Sequence, residues 1–462
     1  MYNSLCVAAR SMPFWCVANP LGDPFGGPVQ EKPDSLEVAK MLARACKEGL
    51  IEMTSTHDDD LVPWDPKHPE DDLDPKSEVY KKLRAIKKVL ADGGLKVNMV
   101  TCSLHGNKLF RAGGLTNPDP KIRALAAKKV ERTLRIGNLL GAKHYTYWVA
   151  RDGFEVYAKT DFAHVYDWLA NGLNHVTDYI QKMKFTNYKG ATVEPKPNEP
   201  RGAMFLPTSG HAVGFIMSRL KKPDFWGVNP ELLQHEGMTL LNSVLTVSYL
   251  CACKKMKFLH FGSQIKGQFD DDFPPLVGPE GLKNYIGGTV EPKPNEPRGA
   301  MFLPTSGHSV GFIMTRLKKP DFWGVNPELL QHEGMCLINS VLTVSYLCAC
   351  KKMKFLHFGS QIKGQFDNDF PPLVGPEGLK ETVWMFKALS DCGWKGVVEF
   401  DCHMLRSEGS PEDAADAQWR FIQSCSKAVD VCVALAARLK PAKKGANDTE
   451  AELDAIAQMC RI

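Results

Sequence analysis

The sequence predicts an α/β fold in which eight short strands alternate with amphipathic helices and close into a (β/α)8 barrel. Periodicity carries that prediction first. From one end of the chain to the other, brief β-branched or aromatic runs are followed by longer stretches with apolar residues three and four apart. The polar residues carry it second, because they collect just past the predicted strand ends, where a barrel of this kind gathers its chemistry. A duplication complicates the count. Residues 187–283 return almost unchanged as residues 284–380, two copies of 97 residues that differ at about seven positions. Units this long and this alike are not the ~20–50-residue repeats of a solenoid; they read as a duplicated gene segment.

Counting the repeat once, the expected strands are Met12–Ala18, Ile51–Thr56, Val97–Ser103, His144–Val149, Ala191–Lys196, Phe225–Glu231, Phe258–Ser263 and Val397–His403. Between them the helical period predicts Ser35–Glu48, Glu78–Ala91, Lys121–Leu140, Phe162–Met183 and Met238–Lys255, with a last long helix over Pro411–Leu439. The second copy adds three strands, at Gly288–Lys293, Phe322–Glu328 and Phe355–Ser360. A closed eight-stranded barrel fixes its own shear, so eleven strands do not fit and one copy is expected to be extruded. The second copy runs straight into a helix at Glu377–Ser390 and the last strand, whereas the first breaks off at Asn284-Tyr-Ile-Gly287 before that helix is complete. Copy two is therefore the one expected in the barrel. An extruded copy would carry unpartnered apolar faces, which predicts local disorder, swapping or aggregation. The expected organisation is one barrel over residues 1–440 with a short tail over 441–462, leaving a shortened C-terminal helical arm.

Without one copy, 462 residues become about 365, a length one large α/β barrel can use. The 57 basic and 53 acidic residues give a net charge of +4 and are interspersed along the chain, which argues against nucleic acid as partner. The densest basic cluster, Lys81, Lys82, Lys87 and Lys88, reads as a solvated helix face. No stretch reaches the ~18 apolar residues of a membrane span, and Met1–Cys6 lacks a basic region followed by an apolar core, so a cytoplasmic protein is expected. The 14 cysteines fall in apolar contexts, such as Cys251 and Cys253 with their repeats Cys348 and Cys350, and read as reduced thiols in a core.

Carboxylates crowded at strand ends repel one another unless a cation binds them. Glu194, Glu231, Asp270, Asp272 and Asp401 converge from four predicted strand ends, with His235 four residues after Glu231, a set suited to one or two hard divalent ions. The duplicate supplies Glu291, Glu328, His332, Asp367 and Asp369. Read alone, any one of these acids also describes a surface charge or a helix cap. In Val193-Glu-Pro-Lys196 the acid and the lysine point the same way at period two, and Lys293 repeats the lysine. At the second strand end, His57-Asp-Asp-Asp60 places a histidine beside carboxylates that can fix its tautomer, an arrangement suited to proton transfer at a sugar oxygen. The same fragment also describes a histidine opening a loop whose acids cap the next turn. No Gly-x-Gly-x-x-Gly follows a strand to bind a nicotinamide.

Together these fragments resemble D-xylose isomerases of the actinobacterial type. The strings that carry the resemblance are Asp23-Pro-Phe-Gly26, Thr56-His-Asp-Asp-Asp-Leu61, Trp148 with Arg151-Asp-Gly153, Val193-Glu-Pro-Lys-Pro-Asn-Glu-Pro-Arg-Gly202, Gly227-Val-Asn-Pro-Glu231 and Glu399-Phe-Asp401. The resemblance implies that His57 and Asp60 assist opening of the sugar ring and that Lys196 (or Lys293) stands near the substrate carbonyl oxygen. It implies two Mg2+ ions (or Mn2+ or Co2+). Glu194 (or Glu291) and Asp401 would serve the first, Glu231 (or Glu328) would bridge both, and His235, Asp270 and Asp272 (or His332, Asp367 and Asp369) would serve the second. Trp15 and Trp148 would wall the sugar, Thr101 and His105 would line its pocket, and Phe25 would reach a neighbouring subunit of a homodimer.

Four departures qualify the resemblance. Where the family has a metal-binding aspartate after the seventh strand, this chain reads His260-Phe-Gly262 and again His357-Phe-Gly359, with Gln264 or Gln361 as neutral substitutes. His105 stands where the family has a pocket phenylalanine. One extra residue separates Glu231 from His235. Asn19 replaces a tryptophan, and little of the long C-terminal arm remains. The readings these leave are an aldose–ketose isomerase, a single-metal epimerase or dehydratase on the same fold, and a non-catalytic barrel.

Overall fold

The computed structural model describes residues 9–18, 33–149, 151–199, 202–230, 243–257, 305–317, 320, 339–353, 355–358, 360, 372–373, 378–395, 397–399, 414–442 and 445–460. The chain divides into two compact units. The first comprises Met1–Arg151, Asn171–Val193 and Asp224–Trp226; the second comprises Asp152–Ala170, Glu194–Pro223 and Gly227–Ile462.

In the first unit the elements are α1 (Phe14–Val17), α2 (Ser35–Lys47), β1 (Met53–His57), α3 (Asp58–Leu61), α4 (Glu78–Asp92), β2 (Lys96–Thr101), α5 (Pro120–Leu140) and β3 (His144–Trp148). The helices begin where their caps dictate. Asp34 accepts from the Leu36 N–H, Ser77 from the Tyr80 N–H and Asp119 from the Lys121 N–H, with Pro120 preset at the first position of α5. Gly141 ends α5 at φ 79°, the left-handed conformation that a side chain would resist. The buried faces follow the helical period, as with Leu83, Ile86 and Leu90 on α4.

The strands form one parallel sheet in the order β1-β2-β3-β5-β8, where β5 is Gly190–Glu194 and β8 is Trp226–Val228. Register pairs His57 with Thr101 and Thr101 with Thr146. Thr146 and Thr192 share a buried hydroxyl hydrogen bond at 2.8 Å, and the Ala191 N–H donates to the Phe225 carbonyl at 2.9 Å. Spatial order follows chain order without the reversal that marks a doubly wound sheet, so the α/β winding is that of a barrel.

The second unit holds a small antiparallel sheet of β4 (Gly153–Phe154), β6 (Asn198–Glu199) and β7 (Gly202–Met204). It also holds the helices α7 (Ser209–Arg219), α8 (Ser243–Ala252), α9 (Ser306–Arg316), α10 (Ser340–Ala349), α11 (Gly378–Asp391), α12 (Ala414–Arg438) and α13 (Asp448–Cys460). The strands β9 (Phe355–His357) and β10 (Val397–Glu399) pair in parallel, Val397 opposite Phe355. The helix α6 (Val165–Lys182) runs from the second unit into the first.

Several expectations need correction. Met12–Ala18 is not a strand: Ser11 makes a single bridge to Met53, Pro13 then opens α1, and Phe14 turns into the core. Proline has no N–H for a ladder, and its fixed φ suits a helix entry. The helices α7 and α9 lie where no element was expected, each capped by a threonine, Thr208 and Thr305. The tail carries α13, which buries Ala451, Ala455 and Met459 at a spacing of four. The strands that follow β3 in the sheet come from copy one, whereas copy two was expected there. Copy one is joined to α6 by a few residues, so closing its strands onto β3 costs less loop entropy than bridging past it. The expected strands Phe258–Ser263, Gly288–Lys293 and Phe322–Glu328 lie outside the described residues, as does the end of Val397–His403.

Candidate functional site

In the first unit three adjacent strands end together, bringing His57, Thr101 and Trp148 to one rim. The His57 ring lies 4.6 Å from Trp15, 5.4 Å from His105 and 6.4 Å from Trp148, centroid to centroid; His105 meets Trp148 edge-on at 4.8 Å. Five of the expected sugar-site residues thus belong to one aromatic cup, since Asp60 joins them from α3. Its Oδ2 accepts the His57 backbone N–H at 2.9 Å and lies 3.1 Å from His57 Nδ1. An ionised carboxylate only accepts, so the proton of the imidazole resides on Nδ1 and Nε2 is left as the base. Thr101 Oγ1 is buried without a hydrogen-bond partner among the described residues, as is Nδ1 of His105.

Burial, reinforced by the neighbouring His57, pushes His105 down to about 3. It is a neutral ring at physiological pH. It therefore keeps the shape of an aromatic wall and adds a polar atom able to meet a hydroxyl group.

Beneath the cup lies an ion cluster that the sequence did not announce. Asp58 is fully buried and accepts from Lys129 Nζ at 2.6 Å, Arg132 Nη1 at 2.9 Å and the Ser103 backbone N–H at 2.9 Å. Burial alone would raise its carboxyl, but the charges of Lys129 and then Arg132 hold it below the ordinary carboxylate range. Its neighbour Asp59 is pushed the other way by burial and by Asp58. Through Ser103, Asp58 ties the loop that begins at His57 to the loop that carries His105. Lys129 and Arg132 lie on α5, three residues apart, a spacing that also fits an exposed helix face; nothing in the sequence near them signalled burial.

In the second unit, Glu194 at the end of β5 is buried and accepts from Asn229 Nδ2 at 2.8 Å. Lys196, two residues on, is also buried, and its backbone N–H donates to the Leu206 carbonyl at 3.2 Å. The donor chemistry fits a hard divalent ion: a carboxylate oriented by an amide at a strand end is what magnesium or manganese prefers. Among the described residues, no cluster of three or more His, Cys, Asp or Glu side chains is placed to hold a metal. Phe25, Glu231, His235, Asp270, Asp272, Glu291, Lys293, Glu328, His332, Asp367, Asp369 and Asp401 lie outside the described residues, as do Gly262 and Gly359.

Comparison with known proteins supports the family that the motifs suggest. The chain is 36% identical over 269 residues to the xylose isomerase of Thermus thermophilus and, over the same length, to that of Thermus caldophilus. Over that stretch the chain is similar to the xylose isomerases. The match spans 58% of this chain and 65% of the length of those xylose isomerases, slightly under two thirds. No protein-family model matches the chain. Among solved structures, a xylose isomerase domain protein from Planctomyces limnophilus aligns at a TM-score of 0.35 with 11% identity, covering 53% of this chain and 79% of that one. A D-allulose 3-epimerase from Methylomonas sp. aligns at 0.37 with 12% identity, covering 56% and 74%. The similarity to xylose isomerases rests on sequence. Among the described residues no helix is long and apolar enough to cross a membrane.

Proposed function

We propose that this protein is a metal-dependent aldose–ketose isomerase that interconverts D-xylose and D-xylulose. The observation that carries the reading is the His57–Asp60 pair set in the cup of Trp15, His105 and Trp148. The indole and imidazole faces suit the apolar face of a sugar, and His57 Nε2 is the base that takes the anomeric hydroxyl proton and returns it to the ring oxygen as the bond from that oxygen to C1 breaks. Asp60 holds the imidazole in that tautomer and stabilises the cation it becomes. In the open chain the C2 hydrogen then moves to C1 as a hydride while a proton passes from O2 to O1, so atoms and charge balance without an external oxidant. Lys196 stabilises the charge that develops on the carbonyl oxygen. A bound Mg2+ or Mn2+ would supply Lewis-acid polarisation of the substrate oxygens. Glu194 is the described residue assigned to it, and the remaining ligands are those the motifs name. The reading includes residence in the cytoplasm and assembly as a homodimer.

A second reading, a single-metal sugar epimerase, draws on His105, whose polar atom in the cup would favour a differently oriented hydroxyl. Xylose conversion with added magnesium separates the two, together with metal content after dialysis. About two ions per chain with xylulose formed is the expected result; one ion and no xylulose favours the epimerase. His57→Ala should slow turnover of the ring form by roughly 10²–10⁴-fold, the usual worth of a general base. An open-chain analogue should lose far less, and equal losses on both would remove the ring-opening role.

A further inference from the structure

The two copies of the duplicated segment touch each other, and they do so reciprocally. Helix α7 of copy one lies along α9 of copy two. A Cβ on Gly210 would lie 2.5 Å from His308 Nδ1, and a Cβ on Gly307 would lie 2.5 Å from His211 Nδ1. Gly214 faces Val310 as Gly311 faces Val213, at 2.7 and 2.8 Å from where a Cβ would be. The Tyr346 hydroxyl donates to the His211 carbonyl at 2.9 Å, and the Tyr249 hydroxyl donates to the His308 carbonyl at 3.1 Å. Arg219 Nη1 reaches the Ala349 carbonyl at 2.7 Å, and Arg316 Nη1 reaches the Ala252 carbonyl at 3.0 Å. Each of these bonds is returned with the roles exchanged, which is the mark of an isologous, two-fold contact.

The sequence explains why the contact closes on itself. Each helix carries Gly-His-x-Val-Gly, and two glycines four residues apart remove the side chains that would hold the helices apart. The helices differ only at Ala212/Ser309 and Ser218/Thr315; Ser218 and Thr315 both reach the carbonyl four residues back, and Thr315 Oγ1 also lies 3.2 Å from Cys253 Sγ of the other copy. Copy two carries every part of the surface by itself: the glycine face on α9 and the tyrosine on α10. So does copy one, on α7 and α8.

We propose that this glycine-faced surface is a self-association site whose partner is a second copy of the same segment. Within this chain the duplicate fills it, because a tethered partner acts at an effective concentration that a free chain does not reach. Blocking one copy leaves the other copy's complete surface open to a second chain. The full-length chain with Gly214→Leu, and separately with Gly311→Leu, should therefore show twice the mass of the unmodified chain by light scattering at equal concentration. The double variant, with neither surface intact, should return to the unmodified mass. Single variants that keep the unmodified mass, or a double variant that associates as they do, would overturn the proposal. Hydrogen exchange on the unmodified chain gives a test independent of any variant folding. Peptides from 209–219 and 306–316 differ in mass and should be equally protected, whereas rapid exchange in one of them alone would show that the pairing does not form.

Discussion

Buried polar groups in the two units, Asp58 in the first and His211 and His308 in the second, meet the same burial with opposite chemistry. Asp58 keeps its charge because Lys129 and Arg132 are buried with it and the Ser103 N–H completes its hydrogen bonds. Among the described residues His211 and His308 meet no counter-charge; each binds a threonine hydroxyl through Nδ1, while its Nε2 has no hydrogen-bond partner there. Burial pushes both down to about 3, with His308 adding to the effect on His211, so they are neutral in the folded protein. The lesson concerns what burial demands. A group that meets opposite charge stays ionised and becomes a strut, whereas a histidine that does not is held neutral and becomes a pH-sensitive part of the packing.

Removing half of the strut should have the largest effect on stability. Lys129→Met leaves Asp58 buried with a single cation, and breaking a buried pair in this way costs about 3–5 kcal/mol. Chemical denaturation at pH 7 measures it, and a loss below 1 kcal/mol would mean that Arg132 and Ser103 suffice. His57 and His105 flank the two ends of the Asp58 tie, so the same variant should also disturb the cup.

The histidines should respond to pH in the next largest degree. Their folded pKa of about 3 lies below the ordinary 6.5 they regain on unfolding, so between those values the unfolded chain binds more protons. Their contribution to stability is complete above about pH 6.5 and is lost as pH falls towards 3. The loss should approach about 1.4 kcal/mol per pH unit for each histidine in the middle of that window. Unfolding free energies at pH 7, 6 and 5 check the slope, and a flat profile would place both imidazoles in contact with water.

The smallest effect serves as the control. Lys88 pairs with Asp92 at 2.6 Å four residues along α4, in full view of solvent. Lys88→Ala should change stability by less than about 0.5 kcal/mol, since exposed pairs of this kind are screened and entropically costly. A larger change would show that long-range charge, and not burial, sets the scale for all three.

The helical and strand periods were legible in the chain because they are local. The helices α2, α4 and α5 and the strands β1, β2 and β3 lie within a few residues of where the pattern puts them, their ends set by Asp34, Ser77, Asp119 and Gly141. The string His57 to Asp60 was legible for the same reason, its carboxylate being three residues from its histidine. What the pattern missed was non-local. The helices α7 and α9 are rich in glycine and small residues, which weakens their own helical signal, and they are secured by each other. The burial of Lys129 and Arg132 has no local signal, because their partner is some 70 residues away.

Local pattern sufficed for the alternation of strands and helices, the order of the motifs and the similarity to xylose isomerases, since each depends on residues near one another along the chain. Tertiary structure alone decided which copy continues the sheet after β3, which charges are buried and kept, and that the two copies face each other across their glycines. Those outcomes depend on loop closure, on desolvation and on complementary surfaces, all of which exist only once distant segments meet.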